Sequence, residues 1–319
     1  MVDKNHIRNQ SSQQPAGESS PTYHVPVLLA ESIGGMNIRE DGVYVDCTYG
    51  GGGHSREILK RLNEGGRLFA FDQDNEVLKN LPEDRRITFL PHNFRHLKRF
   101  LRLNKILQVD GILADLGVSS HQFDEGERGF SIRFDGDLDM RMDKRQSLTA
   151  HHIVTTYKEE QLHKLFEQYG EVTNSKTLAK TIIHMRQLAP LRSIANFKHA
   201  VNAVVKGNPN RWYAQVFQAL RIEVNDEFGA LKELLQQVPD LLGTGGRVAI
   251  ITFHSLEDRI VKNFFKKGSI SADDQNPFEQ NSGTVQLKMI TKKPITPSSE
   301  ELKQNPRSRS AKLRIAEKV

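Results

Sequence analysis

The sequence predicts a doubly wound, mostly parallel α/β sheet with an inserted all-helical segment. Three observations support this fold class: a strand runs directly into a glycine loop and a helix at Val43–Ser55, later strands end in acidic residues, and no strand pattern occurs from Leu148 to about Arg211. In open α/β sheets, ligands bind at the carboxyl ends of the strands, where a glycine loop lets the backbone approach them.

The first element combines a short strand, a loop and a helix. Val43–Val45 are β-forming residues, and the four glycines Gly50–Gly53 prevent regular structure after them. A helical pattern begins at Ser55, with its apolar residues on one face. A second strand, Arg67–Phe71, ends at Asp72, which follows the loop by about 20 residues, the spacing that places a carboxylate on ribose hydroxyls. Loop and acid together predict a nucleotide-type cofactor, whereas the loop alone is compatible with a tight turn.

The loop favours S-adenosylmethionine over a dinucleotide. The strand before it ends in Asp46, whose carboxylate would repel a pyrophosphate but would suit a cationic sulfonium or ammonium group. No Gly-Lys-Ser/Thr sequence is present, which excludes a P-loop.

Composition and charge restrict the classes of protein to which this chain can belong. The 319 residues are 37% hydrophobic and 26% charged, which is the composition of an ordinary globular protein. The net charge of +6 is compatible with a polyanionic partner. No apolar run approaches the ~18 residues of a membrane span, so we expect no membrane association. Residues 1–21 are polar and predict a disordered tail. The single Cys47 excludes an intrachain disulfide and disfavours a cysteine-based metal site, so we predict a cytoplasmic protein without a metal.

Two further strands complete the predicted ligand crevice. Ile87–Leu90 precedes Phe94, which would either stack on an adenine base or pack in the core. Val109–Asp115 would lie beside the first strand, so that Asp115 and the glycine loop share one crevice. The irregular stretch 116–143 mixes apolar anchors with acids and arginines, which predicts a functional loop.

The helical segment carries basic side chains but, over most of its length, no acidic ones. Residues 172–222 contain no aspartate or glutamate, although a solvated helical face normally mixes both signs. The segment therefore predicts a phosphate-contacting surface, and residues 305–310 add a second basic element near the site. The candidate RNA contacts are Lys176, Lys180, Arg186, Arg192, Lys198, Arg211, Arg307 and Arg309. Other predicted elements are helices at 75–81, 94–103, 159–169, 178–188, 194–205 and 214–235, and strands at 247–253, 285–290 and 312–316.

Seven motifs resemble those of the bacterial small-subunit ribosomal RNA cytosine-N4 methyltransferases, and the resemblance extends from His24 to Lys318. They are His24-x-Pro-Val-Leu-Leu-x-Glu31, Asp46-x-Thr-x-Gly-x-Gly-Gly-His-Ser55, Asp115-Leu-Gly-Val-Ser-Ser120, Arg128-Gly-Phe-Ser131, Leu138-Asp-Met-Arg-Met-Asp143, Phe253-His-Ser-Leu-Glu-Asp-Arg-Ile-Val-Lys262 and Asn305-Pro-Arg-x-Arg-Ser310. The chain departs from the family pattern at His121 and Asp137, where proline is usual.

The resemblance implies a Rossmann-like class I methyltransferase domain made of residues 22–145 and 212–319, with residues 146–211 inserted as a helical substrate-recognition domain. It implies a cytidine of the decoding centre as substrate, in free ribosomal RNA or in the assembled small subunit. The oligomeric state stays open, with a homodimer as one alternative. The implied cofactor is S-adenosylmethionine, with contacts from Gly52, Gly53, His54, Asp72, Phe94, Asp115 and Gln122, to which the charge argument adds Asp46.

The exocyclic amine of cytosine is a poor nucleophile, so methyl transfer to it needs alignment and an acceptor for an amine proton. Asp115 is the candidate catalytic residue, although it would also serve if it only held the cofactor. Methylation at carbon 5 would require a cysteine nucleophile, and Cys47 lies under the loop, which argues against that reaction. Phe130, Trp212 and Tyr213 are either stacking partners for the base or core residues. The alternatives are a DNA amino-methyltransferase, whose usual [DNS]-P-P-[YFW] element is missing, and a non-catalytic RNA-binding assembly protein.

Overall fold

Seven strands form one sheet in a computed structural model, which describes residues 26–268 and 286–319. They are β1 Val43–Asp46, β2 Arg67–Phe71, β3 Ile87–Leu90, β4 Val109–Asp115, β5 Leu242–Thr252, β6 Leu287–Met289 and β7 Lys312–Lys318. Their order is β3-β2-β1-β4-β5-β7-β6, with β1 to β5 parallel and β7 antiparallel to both of its neighbours. This topology confirms the predicted doubly wound, mostly parallel sheet.

The strand order reverses between β1 and β4, which places their carboxyl ends side by side. Asp46 pairs with Leu113 across the two strands, and the Cys47 N–H donates to the Leu113 carbonyl at 2.8 Å. A crevice outside two such strand ends is where open α/β sheets bind ligands. The two predicted site acids, Asp46 and Asp115, therefore do end neighbouring strands.

Twelve α-helices occur among the described residues: α1 Leu29–Met36, α2 Gly53–Leu59, α3 Leu97–Leu103, α4 Ser120–Asp124, α5 Ala150–Thr156, α6 Glu159–Gln168, α7 Ser175–Leu188, α8 Ile194–Val201, α9 Pro209–Asn225, α10 Glu227–Leu241, α11 Ser255–Lys267 and α12 Ser299–Gln304. Helices α3, α10 and α11 cover one face of the sheet, and α1 and α2 cover the other. In the described parts of the chain, no helix is long and apolar enough to cross a membrane.

The prediction of one long helix from Ala214 to Leu235 is wrong. The helix breaks at Asp226, which adopts a left-handed conformation (φ 45°) between α9 and α10. Apolar periodicity continues on both sides of the break, so periodicity alone does not reveal it. Aspartate tolerates the left-handed region better than most residues, and its carboxylate receives the Arg95 guanidinium at 2.6 Å.

Smaller differences concern local geometry. Helix α5 was not predicted, although Thr149 caps it by accepting the His152 N–H. The helix expected at 75–81 is a 3₁₀-helix, Asn75–Asn80, and the one expected at 94–103 begins with a 3₁₀ turn before α3. Strand β5 begins at Leu242, earlier than expected. The predicted tail (1–21), the motif residue His24 and the first residue of the strand expected at 285–290 lie outside the described residues.

The helical segment has its own apolar core. It includes Leu162, Ile182 and Phe197 from α6, α7 and α8, and Trp212 to Val224 from α9. The loop residues Phe130, Leu138, Met140 and Met142 belong to the same core. Helix α9 therefore runs through the domain boundary expected at 211, and the division into two domains stays a prediction.

Candidate active site

A cavity of about 1060 Å³ opens at the carboxyl ends of β1, β2 and β4. Its floor is the glycine loop after β1, its sides come from the segments that follow β2, β3 and β4, and the start of α11 closes another side. The predicted site residues that line it are Gly53, His54, Asp72, Phe94, Asp115 and Gln122. The structure thus brings six predicted residues from five separate segments of the chain into one space.

Two glycines of the loop after β1 lack a side chain for different reasons: Gly51 leaves room in the cavity, and Gly53 makes room for the segment before α1. A Cβ on Gly51 would meet no atom within 4 Å, so this backbone faces the open cavity. A Cβ on Gly53 would lie 2.0 Å from the Pro26 side chain, which means that the segment before α1 packs directly on the loop. The predicted close approach of backbone and ligand therefore rests on Gly51 in particular.

Asp72 closes the loop from the end of β2. Its Oδ2 accepts the Gly50 N–H at 2.8 Å and its Oδ1 accepts the Asp74 N–H at 2.9 Å. Burial raises the pKa of Asp72 to about 6, even though these two N–H groups oppose the shift. Asp72 lines the cavity, and each of its oxygens keeps a further lone pair that can accept a hydrogen bond from a ligand hydroxyl.

Asp115 lines the cavity with a carboxyl group whose hydrogen-bonding capacity is only partly used. Its backbone N–H donates to Thr48 Oγ1 at 2.7 Å, which ties β4 to the loop after β1. Its Oδ1 is buried and has no hydrogen-bond partner among the described residues. Burial raises the pKa of Asp115 well above its usual range, and the nearby charges of Asp46, Glu257 and Glu301 raise it further. A buried acceptor without a partner marks a place for a donor or a cation.

His54 lies between the loop and Asp115. Its Nε2 is 3.1 Å from the Val27 carbonyl, an acceptor, so Nε2 must carry the proton. Its Nδ1 lies 3.9 Å from Asp115 Oδ2, and burial lowers the pKa of His54 in spite of Asp46. A neutral imidazole therefore borders Asp115 and holds the segment before α1 in place.

Two expected cofactor contacts do not line the cavity. Asp46 is buried under the loop, where its Oδ2 accepts the Ser55 hydroxyl at 2.7 Å and its Oδ1 accepts the Thr48 N–H at 3.0 Å. Gly52 turns the loop with φ +73° and points toward Tyr49. The expectation that the Asp46 carboxylate faces the ligand directly is therefore not met, because Ser55 and Thr48 hold it inside.

Sequence reasoning missed a buried ion pair beneath the cavity. Asp74 Oδ2 lies 2.8 Å from Arg128 Nη2, and both side chains are buried. Gln122 donates to the same carboxylate at 2.8 Å and forms a capping box with Ser119 at the start of α4. Gln122 is therefore oriented by Asp74 and Arg128. The signal was present, since Arg128 opens the Arg-Gly-Phe-Ser motif, but its partner lies more than 50 residues away in the sequence.

Residues 138–142 are held against α9 by one amide. Asn225 Oδ1 accepts the Met142 N–H at 2.8 Å, and Asn225 Nδ2 donates to the Met140 carbonyl at 2.8 Å. Met140 is buried in the left-handed region with φ 63°, an uncommon conformation for this residue type. Both methionines line the cavity, so this strained loop shapes the side that faces the helical segment.

The aromatic candidates lie in two places: some line the cavity and others belong to the core. Phe94 and Phe130 line the cavity. Trp212 and Tyr213 are core residues, since the indole N–H donates to Asn174 Oδ1 at 2.9 Å and the phenol donates to the Lys198 carbonyl at 3.3 Å. Cys47 borders the cavity, but burial raises the pKa of its thiol well above the usual range, which disfavours a nucleophilic thiolate.

Residues 21–319 match the model of the MraW methylase family. The chain belongs to the MraW methylase family. It is 54% identical over 298 residues to the "Ribosomal RNA small subunit methyltransferase H" of Bacteroides thetaiotaomicron, covering 93% of this chain and 98% of that protein. It is 50% identical over 298 residues to the protein of the same name from Flavobacterium johnsoniae, again covering 93% and 98%. A solved structure, a putative rRNA-methylase from Clostridium thermocellum, has a TM-score of 0.43 at 12% identity and covers 93% of this chain and 100% of that one, a likeness too weak for a functional argument.

Membership in the MraW methylase family confirms the resemblance that the motifs predicted. It also confirms the prediction that the chain is a methyltransferase whose methyl donor is S-adenosylmethionine. The roles of individual residues stay predictions.

The eight predicted RNA contacts differ in what their side chains do. Arg186 donates to the Tyr157 carbonyl at 2.7 Å and so holds the end of α5. Lys198 donates to the Ile132 carbonyl at 3.3 Å and lies over the Tyr213 ring. Arg307 lines the cavity and pairs with Asp124. The remaining side chains are exposed on the surface: Lys176, Lys180, Arg192, Arg211 and Arg309.

Proposed function

We propose that this MraW-family protein transfers a methyl group from S-adenosylmethionine to the exocyclic N4 of a cytidine in small-subunit ribosomal RNA. The observation that carries the proposal is the position of Asp115, which lines the cavity beside a side-chain-free glycine loop and whose side chain is 25% exposed. The names of the relatives support a ribosomal RNA substrate. The target atom within that RNA is the finer part of the proposal.

The residues that line the cavity are arranged so that they could hold the cofactor. The open space above Gly51 would take the backbone-facing part of the ligand, Asp72 would accept its ribose hydroxyls, and Phe94 would lie against its adenine. When bound, S-adenosylmethionine supplies a methyl group on a cationic sulfur. A cation near Asp115 would lower the pKa of this carboxyl and favour its charged form.

Asp115 would then act on the amine of the target base. An amine nitrogen that gains a methyl group becomes positive and must lose a proton. The Asp115 side chain is 25% exposed in the cavity, so its carboxylate can accept an amine N–H, align the lone pair and stabilise the developing charge. His54 Nδ1 lies 3.9 Å from Asp115 Oδ2, beyond hydrogen-bond distance, and His54 holds the segment before α1 through its Nε2. Asp115 would be the catalytic residue.

The target cytidine must leave its stack to reach this depth. Extrusion of a base costs a few kcal/mol, which contacts inside the pocket have to offset. Phe130 is one of the aromatic side chains that line the cavity, and the Met140–Met142 loop adds apolar surface to its lining. We assign the exposed cations Lys176, Lys180, Arg192 and Arg211 to RNA phosphates, with Arg307 at the rim of the cavity.

The test is methylation with tritiated S-adenosylmethionine of small subunits, naked ribosomal RNA and duplex DNA, followed by nucleoside mass analysis. We expect N4-methylcytidine from RNA. Label confined to DNA, or found on a base carbon, would refute the proposal, and tight cofactor binding without any label would indicate an assembly protein instead.

Asp115→Asn separates catalysis from cofactor binding. The amide keeps the size of the side chain but cannot take a proton, so we expect the rate at saturating cofactor to fall at least ~100-fold, while the affinity for S-adenosylhomocysteine changes less than about tenfold. The matched control is Asp110→Asn, the same change at the other end of β4, which should keep the wild-type rate. A normal rate for Asp115→Asn would remove this residue from the mechanism.

A further inference from the structure

The outer face of α3 carries cations that neither the cavity nor the helical segment accounts for. Arg99 and Arg102 are exposed one turn apart on this helix, and Lys105 is exposed just after it. Among residues 26–268 and 286–319, none of these three side chains forms an ion pair within 4 Å. We call these three residues the α3 strip.

Other cations of the same segment behave differently. Arg95 contacts Asp226 and Glu233, at 2.6 and 2.9 Å, and Lys98 contacts Asp240, so acids at the break before α10 and within α10 neutralise the flank that faces them. Of the α3 strip, only Arg102 acts on one of these acids, because its charge helps to lower the pKa of Asp240 without an ion pair. Most of the positive charge of the strip is therefore available to an anionic partner.

The surface around the strip is concave. Helix α3 and helix α10 enclose a shallow depression of about 570 Å³, lined by Arg95, His96, Lys98, Arg99, Arg102 and Gln237. Arg99 and Arg102 stand on its rim, about 4.5 Å apart along the helix axis, so that their guanidinium groups can reach neighbouring phosphates. A shallow basic depression suits a phosphate backbone better than a small apolar ligand.

The helix that carries the strip begins beside the rim of the active site and leads away from it. Phe94, which precedes α3, lines the cofactor cavity, and so does His92. The His92 ring stacks on Phe100 of α3, with centroids 4.0 Å apart and planes 14° apart. Since α3 connects the carboxyl end of β3 to the amino end of β4, a nucleic acid that inserts one base into the cavity would reach the strip by continuing from this rim along the outer face of α3.

We propose that the α3 strip binds phosphates of the same ribosomal RNA that supplies the target base. This is a second contact surface on the sheet domain, separate from the helical segment, and it rests on the function proposed above. Arginines and lysines that are exposed and uncompensated gain affinity from released counterions, which makes the contact independent of sequence and sensitive to salt.

The test is the triple variant Arg99→Gln, Arg102→Gln, Lys105→Gln in the full chain. Binding to naked ribosomal RNA and to small subunits is measured by filter binding at several salt concentrations, without turnover. We expect weaker binding to both, and a slope of log affinity against log salt that is shallower by about 2, since each lost phosphate contact removes about 0.7–0.9. The affinity for S-adenosylhomocysteine and the unfolding midpoint should stay at wild-type values.

The matched control removes the same charge from the opposite sheet edge, with Lys288→Gln, Lys292→Gln and Lys293→Gln on and after β6. It should change the slope little. An unchanged slope in the α3 variant would overturn the proposal, and so would a loss seen with subunits but not with naked RNA, which would indicate a protein partner. A wild-type chain that binds RNA but methylates none of it would contradict the proposed function while leaving the strip supported.

Discussion

Asp72 offers the sharpest test of the site's electrostatics, through replacement by asparagine. The carboxyl group is half-buried at the end of β2, and it accepts the N–H groups of Gly50 and Asp74. Burial nevertheless raises its pKa from the ordinary 3.8 to about 6. The folded chain therefore holds this proton more tightly than the unfolded chain does, and ionising Asp72 costs folding free energy.

The size of that cost follows from the pKa difference. Each tenfold change in proton affinity corresponds to about 1.4 kcal/mol, so a rise from 3.8 to about 6 costs about 3 kcal/mol once Asp72 is fully ionised. Below pH 4 the group is protonated in both states and the cost is absent. Between pH 4 and 6 the folded state binds more protons than the unfolded state, so stability falls as pH rises. Asp72→Asn escapes this loss, although its single oxygen leaves one N–H without an acceptor, at about 1–3 kcal/mol.

The assay is urea unfolding of the cofactor-free wild type and Asp72→Asn from pH 4.5 to 8. The difference between the two removes the titration of all other groups. We expect the wild type to lose about 2 kcal/mol relative to the variant across this range, since about 1 kcal/mol of the full cost is already present at pH 4.5. In the wild type, affinity for S-adenosylhomocysteine should rise up to about tenfold between pH 5 and 7, and in the variant it should be weak and flat. A stability difference that does not vary with pH would refute the reasoning.

The remaining predictions concern the loop and the sheet. Gly51→Ala should weaken S-adenosylhomocysteine binding in calorimetry and leave the unfolding midpoint unchanged, because its Cβ meets only open cavity; wild-type affinity would show that the ligand does not approach this backbone. Gly52→Ala should instead destabilise the fold by more than about 1 kcal/mol, since its Cβ would lie 2.5 Å from the Tyr49 hydroxyl at φ +73°; an unchanged midpoint would contradict this. Asp258→Ala should lower the free energy of unfolding in urea by about 3–5 kcal/mol, because it removes the carboxylate whose Oδ1 lies 2.6 Å from Nε of the buried Arg314. A loss under 1 kcal/mol would argue against a buried charge pair.

The candidate site was predictable where the information is local. Val43–Val45, the four glycines and Asp72 carry their signal in neighbouring residues: β-forming side chains, conformational freedom and a strand-end acid. Parallel strands then bring such ends together by topology, which is why Asp115 was placed beside the loop from the sequence. These predictions did not depend on knowing any side-chain contact.

Predictions that depended on side-chain partners fared differently. Asp46 was expected to face the ligand, but Ser55 and Thr48 hold its carboxylate inside. Arg186 stays a predicted phosphate contact, although one of its guanidinium nitrogens donates to the Tyr157 carbonyl. A charged residue type does not specify whether its partner is solvent, ligand or backbone, because that choice is made by groups far away in the sequence.

By itself, the sequence determined the strand–loop–helix unit, the acidic strand ends and the one-signed charge of the helical segment, since each follows from the residues of one stretch and their intrinsic preferences. The tertiary structure alone decided the break at Asp226, the pairing of Asp74 with Arg128 and the way Asn225 holds the Met140–Met142 loop. These features join segments that are distant along the chain, and their energies arise only when burial removes water from polar groups that must then find each other.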